Sequence, residues 1–373
     1  MDFLVSAVSL SRSLTISSSF PPPWLERVVV LAINLFISFA CGCATTVSRF
    51  RNLSGHRTAP FICILSQFVI QPFLVSRLCS LFSVPPAVSV GLILCSSTPG
   101  GNGSNLAEVI FQGDIELGVF CTLVSTLVSA VAIPLCYKLY CEDLVAGYGG
   151  GGEEEAGVEG GAGSPWAAIV GSVSVLVVGS GAGCLVRHLD DSLGRRLEGV
   201  CIKVGVGLLV MGIGAVCVQT MHLWEGIEWR TWAVGTILAP GKFLWSLVMA
   251  KMLWHNDQVS MTVSIECGEQ NIAVALAVIM LGFEQGEMRD EMMTGMMVYT
   301  LFNQAFATPG FTFLYWRWRR GDDNLAVVAV DEKGGGKGGE GEKWTTRKGG
   351  LDTDDTNIGD VTTDTEEAIY SGL

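Results

Sequence analysis

Apolar residues run along most of the chain in blocks of about 20, the length a helix needs to cross a hydrocarbon layer. Nine such blocks are predicted, at about 26–47, 59–81, 87–111, 115–139, 166–187, 200–222, 230–253, 258–282 and 292–316. Two of them are broken at mid-span by polar, helix-breaking inserts. The third carries Ser97-Thr98-Pro99-Gly100-Gly101-Asn102-Gly103-Ser104-Asn105, and the eighth carries Glu266-Cys267-Gly268-Glu269-Gln270-Asn271. A membrane helix gives up internal hydrogen bonds only where the freed backbone groups line a protein-enclosed or wet cavity. Paired interruptions at corresponding places in two halves of a chain point to the substrate and ion site of a secondary transporter.

The third and eighth spans cross in opposite directions. The pattern therefore predicts an all-α membrane protein of nine transmembrane helices in inverted repeats, the first repeat lacking its leading helix. Residues 24–145 form the four-helix first repeat and 165–320 the five-helix second, with the inserts facing each other near the bilayer midplane. Around them lie an extracellular N-terminal tail (1–23), a Gly- and Glu-rich flexible extracellular linker (146–164) and a disordered cytoplasmic tail (321–373). The N-terminal tail breaks up at Arg12 and Pro21-Pro22-Pro23 and has no basic leader, so it reads as neither a signal peptide nor a full span.

Orientation follows from the arginines. Arg49, Arg51 and Arg57, then Arg187, Arg195 and Arg196, then Arg317, Arg319 and Arg320 all fall on one side of a nine-span chain. That side is expected to be cytoplasmic, with the N-terminus outside, the C-terminus inside and the plasma membrane as the default location.

Composition agrees with a membrane protein: 49% hydrophobic, 16% charged, mean hydropathy +0.45. The net charge of −13 says little about partners, because residues 321–373 alone hold 13 acids and 5 bases. Nothing in it calls for nucleic acid. Most of the twelve cysteines lie in apolar runs without CxxC or zinc-type spacing, so they read as small buried thiols, and no metal other than sodium is expected.

The inserts are rich in oxygen donors: Ser104, Asn105, Glu266, Gln270 and Asn271, with Thr122, Ser125 and Thr126 on span four. A hard cation such as sodium prefers several oxygen ligands. A carboxylate at Glu266, deep in a span, needs a partner, and a bound cation supplies one. The alternative is a structural hydrogen-bond knot between helices.

At these residues the chain resembles the bile acid:sodium symporter family, of the animal type. Pro99-Gly100-Gly101, Ser104-Asn105, Gly113-Asp114 and Ser125-Thr126 resemble its CPGGTASN, GD and SVSMT..ST. Glu266-Cys267-Gly268-Glu269-Gln270-Asn271 resembles its ETGMQN, and Gln67-Phe68-Val69-Ile70-Gln71-Pro72 its QFxIMP, over roughly residues 26–320. The resemblance implies a core domain with two sodium sites and a mobile panel domain, sodium as coupling ion and no other cofactor. Carried over by position, one site would use Ser104, Asn105, Thr122 and Glu266. The other would use Gln67, Glu266, Gln270 and the carbonyls of Cys267 and Glu269. Asn105 and Asn271 would face an organic anion at a helix N-terminus.

Four positions depart from the family. Gly118 stands where a sodium-ligating serine is usual, Gln71 and Glu269 replace methionines, and Lys242 puts a charge in span seven. Intramembrane charges usually pair, so Lys242 is expected to pair with Glu269 or Glu266, either as a tethered cation replacing one sodium or as a compensating ion pair.

The function implied is sodium-coupled symport of an organic anion (a bile acid, steroid sulfate or smaller carboxylate), not an enzyme reaction. One alternative is an efflux carrier of a small oxyanion such as arsenite, which would use Cys95 or Cys267. Another is a non-transporting receptor of the same fold. An intramembrane aspartyl protease would need two buried aspartates, and Asp114 is the only near match.

Overall fold

The computed structural model of the chain describes residues 23–45, 58–101, 104, 107, 108, 113–148, 165–253, 255–307, 310 and 313. Asn105, Arg49, Arg51, Arg57, the arginines after 316, most of the linker and the whole tail 321–373 lie outside the described residues. Apart from one isolated bridge, the described residues contain helices and no strands.

The elements are α1 (Pro23–Ala44), α2 (Thr58–Phe82), α3 (Pro86–Ser96), α4 (Ile115–Tyr140), α5 (Glu142–Tyr148), α6 (Pro165–Leu189), α7 (Asp191–Trp224), α8 (Trp229–Met252), α9 (Asp257–Gly268), α10 (Ile272–Gly282) and α11 (Glu287–Leu301). Six of these, α1, α2, α4, α6, α7 and α8, contain apolar segments long enough to cross a membrane, and α3 and α10 are shorter apolar helices. The chain is an all-α membrane protein.

Sequence chemistry sets the ends. Pro23, Pro86 and Pro165 sit at first helical positions, where a missing N–H costs nothing. Asp114, Asp190, Asn256 and Asn271 cap α4, α7, α9 and α10 by accepting backbone N–H bonds through their side chains. The N–H of Leu193, with Ser192, holds the exposed Asp190 carboxyl below the usual carboxylate range. α2 ends at Ser83, whose φ of 53° reverses the chain.

Two local features depart from the expected pattern. α7 starts at Asp191 rather than near 200 and is about 50 Å long at 1.5 Å per residue, so it overruns the hydrocarbon at one end. The polar stretch 191–199 is helical because the Asp190 cap leaves no loop between α6 and α7. α2 contains a π-helical turn, Ser66–Ile70, which feeds an extra residue into the helix and turns both Gln67 and Gln71 inward.

The outward face of α4 presents Leu127, Val131, Leu135 and Leu139, exposed at helical spacing as lipid-facing positions are. Inside, α3, α10 and α11 share the largest apolar cluster, including Leu92, Ile93, Val278, Met292 and Met296. α3 and α11 approach unusually closely. A side chain at Gly91 would collide with the carbonyl of Met292, and one at Gly295 with that of Val88. Small residues facing each other in this way let membrane helices gain van der Waals contact. α1, α6 and α7 pack mutually, and Asn34 of α1 donates to the Ala273 carbonyl at the start of α10 at 3.0 Å. All twelve cysteines are free thiols, ten of them buried.

Candidate functional site

The two inserts meet. After α3 stops at Ser96 the chain is extended near Gly100, which bridges antiparallel to Gln270 in the break between α9 and α10. The Asn271 N–H donates to the Pro99 carbonyl at 2.9 Å, and the Gly101 N–H donates to the Glu269 carbonyl at 3.3 Å. Each unwound segment thus satisfies backbone groups that the other's missing helical turns leave open.

Glu266, the last buried acid of α9 before the break, is the centre of the crossing. Its carboxylate accepts from the Ser104 hydroxyl and, with both oxygens, from the Thr122 hydroxyl at 2.9 and 2.8 Å. Gly100 permits this, because a side chain there would strike Oε2 of Glu266. The π turn of α2 then brings two glutamines to consecutive carbonyls. Gln67 Nε2 donates to the Glu266 carbonyl at 2.7 Å, and Gln71 Nε2 to the Cys267 carbonyl at 2.8 Å. Gln67 Oε1 is buried with no hydrogen-bond partner among the described residues, an acceptor oxygen left available beside Glu266. Ser125, also buried, turns back to its own helix at the Thr122 carbonyl.

Gln270 is fully engaged. Its amide nitrogen donates to Gln71 Oε1 and to the Ser96 carbonyl, each at 2.7 Å, and its oxygen accepts from the Tyr299 hydroxyl. Asn271 places its side-chain oxygen 3.3 Å from the Val274 N–H, capping α10. It also lies where that helix presents its free N–H groups, an arrangement that favours anions.

Lys242 is buried on α8. Its Nζ donates to the Tyr299 hydroxyl at 2.6 Å and lies 4.5 Å from that ring's centroid. Glu269 Oε2 accepts from Gln304 at 2.7 Å. Glu269 is the extended residue that ends α9. Lys242, Gln71, Ser96 and Tyr299 line one side of a mainly apolar cavity of about 240 Å³ between α2 and α8.

Several site residues carried no sequence signal that singled them out. Tyr299 sits in a methionine-rich apolar run and reads as core. Glu108, fully buried with neither carboxylate oxygen hydrogen-bonded among the described residues, resembles an end-of-span acid. Its only clue was the four-residue spacing from Ser104. Glu26 and Arg289 form a buried ion pair of 3.2 Å between α1 and α11, supported by Gln219 and Gln285. Beside it an apolar cavity of about 210 Å³ opens between α1, α7 and α10, lined by Val29, Val30, Met211, Val216, Leu276 and Met280 among others.

Taken together, a buried carboxylate, two hydroxyls, one free amide oxygen and several main-chain carbonyls converge on the crossing. Such a set can hold a desolvated hard cation.

Comparison with known proteins agrees. The sequence model described as "Sodium Bile acid symporter family" matches residues 30–223, just over half of the chain. The ileal sodium/bile acid cotransporter of Oryctolagus cuniculus is 26% identical over 301 residues, covering 79% of this chain and 81% of that protein. The mouse (Mus musculus) ileal sodium/bile acid cotransporter is 27% identical over 284 residues, 74% of this chain and 76% of its own length. Sodium/bile acid cotransporter 4 of Mus musculus is 24% identical over 327 residues, 80% of this chain and 70% of its own length.

Proposed function

Because the chain belongs to the sodium bile acid symporter family, we propose that it is a sodium-coupled symporter that moves an organic anion by alternating access. The observation that supports this most is Glu266: a fully buried carboxylate whose oxygens gather the hydroxyls of Ser104 and Thr122 from two other segments at the helix crossing. On this reading the first sodium takes Ser104, Asn105, Thr122 and Glu266. The second takes Gln67, Glu266, Gln270 and the carbonyls of Cys267 and Glu269. Sodium binding would draw Gln67 Oε1 into coordination and displace the amide donors now resting on the 266 and 267 carbonyls.

The nine crossings divide into the repeats 24–145 and 165–320, with the N-terminus outside and the C-terminus in the cytoplasm of a cell bounded by the plasma membrane. α1, α6 and α7 form the panel, and the remaining helices form the core around the crossing. The anion sits in the crevice between them, its apolar body against the Val29, Met211 and Leu276 side and its charge toward Asn105, Asn271 and the N-terminus of α10. If two sodium ions enter with a monovalent anion, one net charge moves inward, and the membrane potential contributes about 2.3 kcal/mol per 100 mV.

A second reading, efflux of a thiophilic oxyanion such as arsenite, draws support from Cys63, Cys121 and Cys267, which share one buried cluster beside the crossing. Uptake of labelled taurocholate, a steroid sulfate and pantoate, with sodium and with choline in its place, separates the readings. Sodium-dependent uptake lost in Glu266→Gln supports symport. Sodium-independent arsenite extrusion with no anion uptake supports efflux.

A further inference from the structure

Glu108 has a peculiar position. A side chain at Gly118 of α4 would land on both of its carboxylate oxygens, so the carboxylate occupies the volume that any residue larger than glycine would claim there. Glu108 is fully buried, and neither oxygen has a hydrogen-bond partner among the described residues. Its ion-pair partner is likewise missing among the described residues, since none of their lysines or arginines reaches it. A buried acid left ionised in this state costs several kcal/mol, so a proton or a cation must compensate it.

The helical spacing shows what lies alongside. Glu108 is four residues after Ser104, Gly118 four before Thr122, and Thr262 four before Glu266. Residues so spaced on a helix are neighbours about 5–6 Å apart. Two layers result. One holds Ser104, Thr122 and the Glu266 carboxylate, already hydrogen-bonded together. The next holds Glu108, Gly118 and Thr262. The Thr262 hydroxyl is engaged by the Asp114 N–H at 2.7 Å, and a Cβ placed on Gly113 would lie 2.9 Å from that hydroxyl and 3.3 Å from Glu108 Cγ.

Two carboxylates stacked in adjacent buried layers repel unless a proton or a cation lies between them. We propose that Glu108 joins Glu266, Ser104 and Thr122 as an oxygen ligand of the first sodium ion. Gly118 is a glycine so that the longer Glu108 side chain, arriving from a different segment, can supply the oxygen. This deepens the symport reading and rests on it. It also changes the electrostatics of the site, which carries one more negative charge than a site built on Glu266 alone and holds its cation correspondingly more tightly.

The test is binding of ²²Na⁺ to the purified full chain in detergent, with choline chloride as the ionic-strength control. Glu108→Gln keeps the shape and removes the charge, and it is expected to raise the half-saturating sodium concentration by about tenfold or more. Sodium affinity within about twofold of wild type would overturn the proposal and leave the symport reading standing, since two-fold is well below the loss of a charge-assisted ligand. Wild-type protein that binds no sodium would overturn both. Should Glu108→Gln fail to fold, a second pair carries the test. Glu108→Ala/Gly118→Ser, which places a hydroxyl in the vacated volume, is expected to bind sodium about tenfold more tightly than Glu108→Ala. Equal affinities of that pair would overturn the proposal.

Discussion

The ammonium of Lys242 rests 2.6 Å from the hydroxyl of Tyr299, which in turn donates to the carboxamide oxygen of Gln270. A positive charge on α8 is thereby connected, through one phenol, to the insert that links α9 and α10. If that charge stands in for a second cation, Lys242→Gln is expected to raise the sodium Hill coefficient of transport. An unchanged coefficient would make Lys242 a structural cation. Tyr299→Phe removes the hydroxyl that accepts from Nζ and should lower stability by about 1–3 kcal/mol, read as a lower thermal midpoint.

Glu266→Gln preserves the shape of the crossing and still offers an acceptor oxygen to Ser104 and Thr122. The fold should survive, because no buried hydroxyl is orphaned. Sodium affinity should fall about 10- to 100-fold, the loss of one charge-assisted ligand at about 1.5–3 kcal/mol. Equal sodium dependence of uptake in the variant and the wild type would remove Glu266 from the coupling site.

Arg289→Met strands the Glu26 carboxylate in a buried position, where Gln219 and Gln285 are its neutral partners among the described residues. Breaking a buried pair on one side costs about 3–5 kcal/mol. The double variant Glu26→Gln/Arg289→Met should recover most of that loss, and a double-mutant cycle on thermal unfolding measures how much.

Gly295→Ala places a methyl group against the Val88 carbonyl, a main-chain atom that cannot swing aside. α3 and α11 must separate, at a cost of about 1–3 kcal/mol. Thermal unfolding of the detergent-solubilised protein should show the shift, and a neutral result would mean the two helices tolerate a wider spacing.

The breaks were legible because Pro99-Gly100-Gly101 and Gly268 are poor helix formers inside apolar runs, and no soluble-core explanation suits polar residues at that depth. The gathering of Glu266 with Ser104 and Thr122 was reachable only through family resemblance, since nothing in periodicity brings residues 104, 122 and 266 together. Lys242 was visible as a misplaced charge, but its partner was not. Tyr299 lies 57 residues away and is indistinguishable in sequence from core packing. Glu108 carries no signal in the sequence that singles it out, since one acid near the end of an apolar block normally marks a membrane boundary. Only the empty side chain of Gly118, seen next to it in space, gives that acid a purpose.

The backbone bonds at the crossing also bear on how the chain is made. The Pro99 carbonyl and the Gly101 N–H find their partners in Asn271 and Glu269, about 170 residues downstream. At about 5–20 residues per second, the ribosome delivers those partners on the order of 10–30 s after the first insert has emerged. Throughout that interval the unwound segment cannot rest in bare hydrocarbon, where each unmet polar group costs several kcal/mol. The first insert must be held in a hydrated, sheltered setting during synthesis, and a nascent chain stopped before Asn271 would be a substrate for quality control.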